Sequence, residues 1–218
     1  VERRKPNPQQ RRRDVCDAAI ELLASQGARG LSHLKVDRAA GLPDGTTSFY
    51  YRTRSALLHA VAARLTELDV ADLAAIAAAD PPPDGTPSLL AQAIVSTVFE
   101  PRLTRTKARY EVLLQATRDP ELVRKVDDTT ARFMELSRAV IMQMQPADVS
   151  PDPELISDQT YAAMTFINGV LIGIACGDRT IHSAEQLDVL LAGIVAGVAH
   201  TRAAAVSAGT PSTAWRST

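Results

Sequence analysis

Between residues 27 and 55 the chain is punctuated so closely that only short helices fit. Gly27 and Gly30 stop a first helical pattern, Gly41-Leu42-Pro43 breaks a second, and Arg52-Thr53-Arg54-Ser55 interrupts a third. The first pattern begins at Arg11 and places Val15, Ala19, Leu22 and Leu23 on one face. Ser32 is a good N-cap for the second, which runs to Ala40. Gly41 permits the positive φ that ends it, and Leu42 plugs the angle between helices. Pro43 cannot continue a helix but is tolerated at the start of one. A third helix then starts at Asp44 or its neighbour and carries Thr46 through Tyr50. Three short helices around a glycine-centred turn make a helix-turn-helix.

That third helix is unusually polar for its length. Thr46, Thr47 and Ser48 offer hydroxyls to phosphates or base edges, and Phe49 and Tyr50 offer aromatic faces to thymine methyls. Gly45 has no side chain, so backbone N–H groups there can approach a phosphate. Arg52 and Arg54 follow and can neutralise backbone phosphates.

Charge distribution agrees. The net charge of the 218 residues is −1, but residues 1–64 carry +6 and the remainder −7. A basic front on an acidic body suggests a local polyanion-binding face. Residues 1–10, with Arg3, Arg4 and Lys5, read as a disordered basic arm, and residues 207–218 as a loose tail.

The rest reads as helix throughout, as expected where alanine and leucine dominate and aromatics are 4%. A long fourth helix spans about 54–79, and Pro81-Pro82-Pro83-Asp84-Gly85 follows as the clearest break. Further helices are expected near 88–99, 101–118, 119–145, 154–177 and 183–205. The fold class is all-α: a helix-turn-helix head at 11–58 on a larger helical body at 59–206. Cys16 and Cys176 have neither disulfide-framework nor metal-ligand spacing, which suits a reducing cytoplasm. No signal-peptide pattern is visible, and the apolar run Tyr161 to Cys176 is short of the ~18–20 residues of a membrane span. No membrane partner and no cofactor are expected.

An enzyme reading finds little support. His33, His59, His182 and His200 are scattered, and no phosphate-binding loop or nucleophile elbow is present. A helical interaction protein without DNA binding is the other rival, and the arginines of the front half argue against it.

Residues 32–58, SHLKVDRAAGLPDGTTSFYYRTRSALL, resemble the DNA-binding module of TetR-type transcriptional regulators. Val36, Ala40, Gly41, Leu42, Gly45, Thr46, Tyr51, Arg54, Leu57 and Leu58 match its pattern. Ser48 stands where the family commonly has tyrosine, Asp37 where a small residue is common, and His33 where an apolar one is. Further on, only phrases match, such as Arg109-Tyr110-Glu111 and Asp119-Pro120-Glu121-Leu122.

The resemblance implies a homodimeric regulator of a double-stranded palindromic operator, most simply a repressor, released by a small apolar or amphipathic effector. An activator or a ligand-independent regulator shares the same pattern. By the same resemblance, Gly45 and Thr46 approach phosphates, while Thr47, Phe49 and Tyr50 face the major groove. Arg54 holds a phosphate, and Lys35 and Arg38 add backbone contacts. Arg11 to Arg13 extend along the duplex.

Tyr110, Leu114, Phe133, Met134, Met164, Phe166 and Asn168 are the candidate pocket lining, chosen for adaptable methionines and for polar groups able to orient a ligand. Gly169, Gly173 and Gly177, with Gly193 and Gly197, are the candidate dimer contacts, because small residues let helices approach closely.

Overall fold

A computed structural model describes residues 7–80, 82–83, 85–145 and 152–207. The basic arm through residue 6 and the tail from residue 208 lie outside the described residues. The remainder is all-α, with no strand among the described residues. The elements are α1 (Pro8–Gly30), α2 (His33–Ala39), α3 (Thr46–Tyr50), α4 (Arg54–Ala78) and α5 (Leu89–Val95). They continue as α6 (Arg102–Ala116), α7 (Pro120–Gln143), α8 (Pro153–Ala175) and α9 (Ala184–Ser207). A single 3₁₀ turn, Ser96–Val98, extends α5.

Most boundaries follow from caps. Asn7, Ser32, Thr53, Ser88, Asp119 and Asp152 each accept a backbone N–H of the first turn that follows. Because Asn7 caps it, α1 starts at Pro8, three residues before the expected Arg11. Gly27, at φ 65°, kinks α1 rather than ending it.

α3 is the exception. Five residues cannot repay helix nucleation on their own, and Gly45, at φ 93°, offers no side-chain cap. The carboxylate of Asp37, on α2, supplies one. It accepts the N–H of Gly45 at 2.8 Å, the N–H of Thr47 at 2.7 Å and the Thr47 hydroxyl at 2.5 Å. Asp37 is 1% exposed and Thr47 fully buried. A buried carboxylate is tolerable only with such donors around it.

Two cores stack along the molecule. The first joins Val15, Ala19 and Leu23 of α1 to Val36 of α2, Leu57 and Val61 of α4, Val112 of α6 and Leu122 of α7. The second gathers Leu73, Leu90, Ile141, Ile156, Met164, Leu187 and Leu191 from α4, α5, α7, α8 and α9. α4 runs unbroken through both, so the head and the body share one rod.

Two substitutions test this account. Leu57→Ala empties a fully buried position between α1 and α4 and is expected to cost about 2–5 kcal/mol, read from urea unfolding. Asp37→Ala strands the donors of Gly45 and Thr47 and is expected to cost about 1–3 kcal/mol. Hydrogen exchange should speed up at Gly45 and Thr47 while the amides of α8 keep their protection.

Candidate functional site

The α2–α3 unit presents a basic, partly aromatic surface. Lys35 and Arg38 of α2 are exposed, as are Ser48 of α3 and Arg52 and Arg54 beyond it. Phe49 is 79% exposed, which is unusual for an aromatic side chain. Its ring meets Tyr50 edge to face at 5.1 Å, and the Arg12 guanidinium lies 5.6 Å from the Tyr50 ring centre. Tyr50 is half-buried at the end of α3, with Arg12 of α1 against its ring. Arg12, expected to extend along the duplex, and exposed Leu34, which sequence reasoning missed, therefore join this face.

Several expectations for the head are corrected. Thr47 does not reach outward, because its hydroxyl is spent on Asp37 in the interior. The N–H groups at the start of α3 are not aimed at an external anion. Those of Gly45 and Thr47 go to Asp37, and Thr46 directs its N–H and its hydroxyl to the Pro43 carbonyl, at 3.1 and 2.7 Å. What Gly45 provides is its positive φ, and the space beside it is open.

Arg54 also serves the fold, donating to the Ala28 carbonyl at the kink of α1. Lys35 reaches Gln26 at 2.8 Å. His33 bonds the Tyr51 carbonyl at 2.7 Å, and the Tyr51 hydroxyl lies 3.6 Å from the Cys16 sulfur. Burial pushes the Tyr51 phenol and the Cys16 thiol upward, so both stay neutral structural groups.

α6 connects this head to the body through three successive residues. Arg109 forks onto both oxygens of Asp69 on α4, at 2.8 and 2.6 Å. The Tyr110 hydroxyl donates to the Asn168 carbonyl on α8 at 2.9 Å. Glu111 accepts the Ala28 N–H at 2.9 Å, at the α1 kink. Ala28 is thus held at its carbonyl by Arg54 and at its amide by Glu111.

The second matching phrase forms a further clasp. The Asp119 carboxylate caps α7 and accepts from Ser55 and from His59 Nε2, both at 2.9 Å. His59, Leu122 and Ser55 hold its carboxyl down to about 2. That contribution to stability is in place above the ordinary 3.8 and is lost as pH falls through about 2. Ser55 and Asp119 meet the same imidazole nitrogen of His59, while the Glu121 carboxylate lies 3.5 Å from the other.

A cavity of about 600 Å³ lies in the body between α4, α5, α6, α7 and α8, within the usual size range for a small-molecule site. Of the candidate lining residues, Phe133, Met134, Met164 and Asn168 border it. The other expected lining residues do not. Leu114 is 63% exposed outside it, Phe166 packs in the core, and Tyr110 is committed to α8. Asp69 and Asp72 of α4 and Arg102, Arg105 and Arg109 of α6 also line it, and sequence reasoning missed all five. Their only signal was spacing that puts each set on one helical face, which surface ion pairs show equally well.

The outer faces of α8 and α9 remain apolar. Tyr161, Ile172, Val189 and Leu190 are exposed there. Gly169, Gly193 and Gly197 would each point a β-carbon into open space. Gly173 and Gly177 do not share this role. Gly173 is covered by the Asp178 side chain, and Gly177, at φ 95°, turns the chain out of α8. By length and composition alone, the stretch Ala184–Ala205 of α9 is long and apolar enough to cross a membrane.

Comparison with known proteins agrees with this architecture. Residues 82–197 match the sequence family described as tetracyclin repressor-like, C-terminal domain. No curated protein matches the chain. Among solved structures, the multidrug binding protein EbrR complexed with ethidium superposes with a TM-score of 0.60 at 24% identity, covering 86% of this chain and 99% of that one. A transcriptional regulator from Rhodococcus sp. Rha1 superposes at 0.66 with 16% identity, covering 87% and 96%. A TetR family member from Streptomyces coelicolor A3 superposes at 0.62 with 22% identity, covering 85% and 98%. At such identities the superpositions speak for the fold, while the sequence match covers more than half of the chain. Taken with the helix-turn-helix head on its helical body, the match shows that this chain belongs to the TetR family of transcriptional regulators.

Proposed function

We propose that the protein is a homodimeric repressor that reads a palindromic operator with α3 and leaves it when a small molecule occupies the body cavity. The observation that carries the reading is the projecting α3 edge, with Phe49 79% exposed beside Ser48 and Lys35, Arg38 and Arg52 around it. An exposed aromatic in a basic, hydroxyl-bearing surface suits a thymine methyl flanked by phosphates. Gly45 and Thr46 act by shaping the turn. Ser48, Phe49 and Tyr50 approach the bases, and Lys35, Arg38, Arg52 and the remaining donors of Arg54 approach phosphates.

Two heads are needed, because one five-residue helix buries too little surface for specific binding. The apolar faces of α8 and α9, with Gly169, Gly193 and Gly197, are the proposed dimer contact. Pairing with a second copy accounts for the exposed apolar stretch of α9 as an interface feature. The dimer sets the spacing of the heads at one helical turn of DNA or a multiple of it.

The cavity is the proposed effector site, and the ethidium bound by EbrR supports a small-molecule role for it. α4 lines the cavity and also carries the head, so a ligand that prefers one placement of α4 shifts the population of DNA-competent dimers.

Footprinting on DNA flanking the protein's own gene should reveal a protected palindrome, and a flat footprint would end the DNA-binding reading. On that site, Phe49→Ala should cost about 1–3 kcal/mol and relax preference at one base position. Lys35→Ala should weaken binding evenly across sequences and lower the salt slope by about one. Val189→Glu should give a monomer by sedimentation and lose operator binding while keeping its helical circular dichroism.

A further inference from the structure

The charge of the cavity narrows the class of effector. Among the described lining residues, three guanidinium groups meet two carboxylates. Arg109 is matched by its two-point pairing with Asp69. Arg102 and Arg105 instead converge on one oxygen of Asp72, at 3.1 and 3.3 Å. One formal positive charge is therefore left over, against a wall that includes Leu73, Ile76, Met164 and Leu171.

Arg105 is 15% exposed and Arg102 34%, so water screens this surplus charge only in part, and an incoming anion offsets the rest. The guanidinium fork fits a planar carboxylate through two parallel hydrogen bonds. The remaining volume has room for an apolar body. We propose that the effector is an amphipathic carboxylic acid. Its carboxylate binds Arg102 and Arg105 in competition with Asp72, and its apolar body lies along α4, α7 and α8.

This inference rests on the cavity being the effector site, and it adds a route for release. Asp72 belongs to α4 and both arginines to α6, so a carboxylate that takes their donors loosens the link between these helices. α6 also holds the base of the head through Glu111 and Ala28. A shift of α6 against α4 thereby reaches the DNA-reading unit.

The test measures binding of decanoate, decanol and decyltrimethylammonium to the full chain by calorimetry, below their micellar concentrations. Decanoate is expected to bind at least about tenfold more tightly than either of the others. Arg105→Met should remove that preference. Asp72→Asn, which frees both arginines, should tighten decanoate binding and carries the test by itself where Arg105→Met fails to fold.

Decanol or the ammonium binding as tightly as decanoate would overturn the charge assignment while leaving the cavity as the effector site. So would an Asp72→Asn variant with unaltered decanoate affinity. Binding of none of the three would overturn both.

Discussion

The carboxylate of Asp37 is the contact on which the reading head depends. α3 is too short to be stable alone, and its glycine N-cap brings no oxygen of its own. A buried acid from the preceding helix supplies that oxygen, and it binds Thr47 as well. The outward faces of Ser48 and Phe49 follow from this anchor. With Thr47 pinned inward, the helical rotation of its two successors is decided. An acid at this position is thus a structural replacement for the cap that Gly45 lacks.

α6 plays the corresponding part for the whole chain. Its consecutive residues Arg109, Tyr110 and Glu111 reach α4, α8 and α1. Three neighbours on a helix point about 100° apart, so such a run suits a helix surrounded on most sides. The cavity lies against the Arg102, Arg105 and Arg109 side, while Glu111 touches the kink of α1. Cavity and head are consequently linked through one rigid element besides α4. Any ligand that disturbs the ion pairs between α4 and α6 acts on a packed junction, which tends to switch between discrete arrangements rather than deform smoothly.

Much of the fold was legible because its signals are local. Breakers at Gly41-Leu42-Pro43, Arg52-Thr53-Arg54-Ser55 and Pro81-Pro82-Pro83 and the cap at Ser32 marked helix boundaries to within a few residues. Phe49 stood out as an aromatic in a short polar helix, and its exposure follows that reading. Thr47 was misjudged for a physical reason. A hydroxyl in a recognition helix can face DNA or an internal acid, and only the path of α2 brings Asp37 to it. The glycines of α8 show the same limit. Gly169, Gly173 and Gly177 form one stripe on paper, yet chain reversal claims Gly177 and the Asp178 side chain covers Gly173.

By itself the sequence determined the helices, the helix-turn-helix and the basic front, since each depends on backbone preference or composition within a few residues. The cavity lining was decided only in three dimensions. Asp69, Asp72, Arg102 and Arg105 read as ordinary helix-surface charges along the chain, and Leu114 as a pocket-lining candidate. Their roles exchange once α4 and α6 pack together, because burial depends on which face meets a distant helix, a quantity that no local spacing contains.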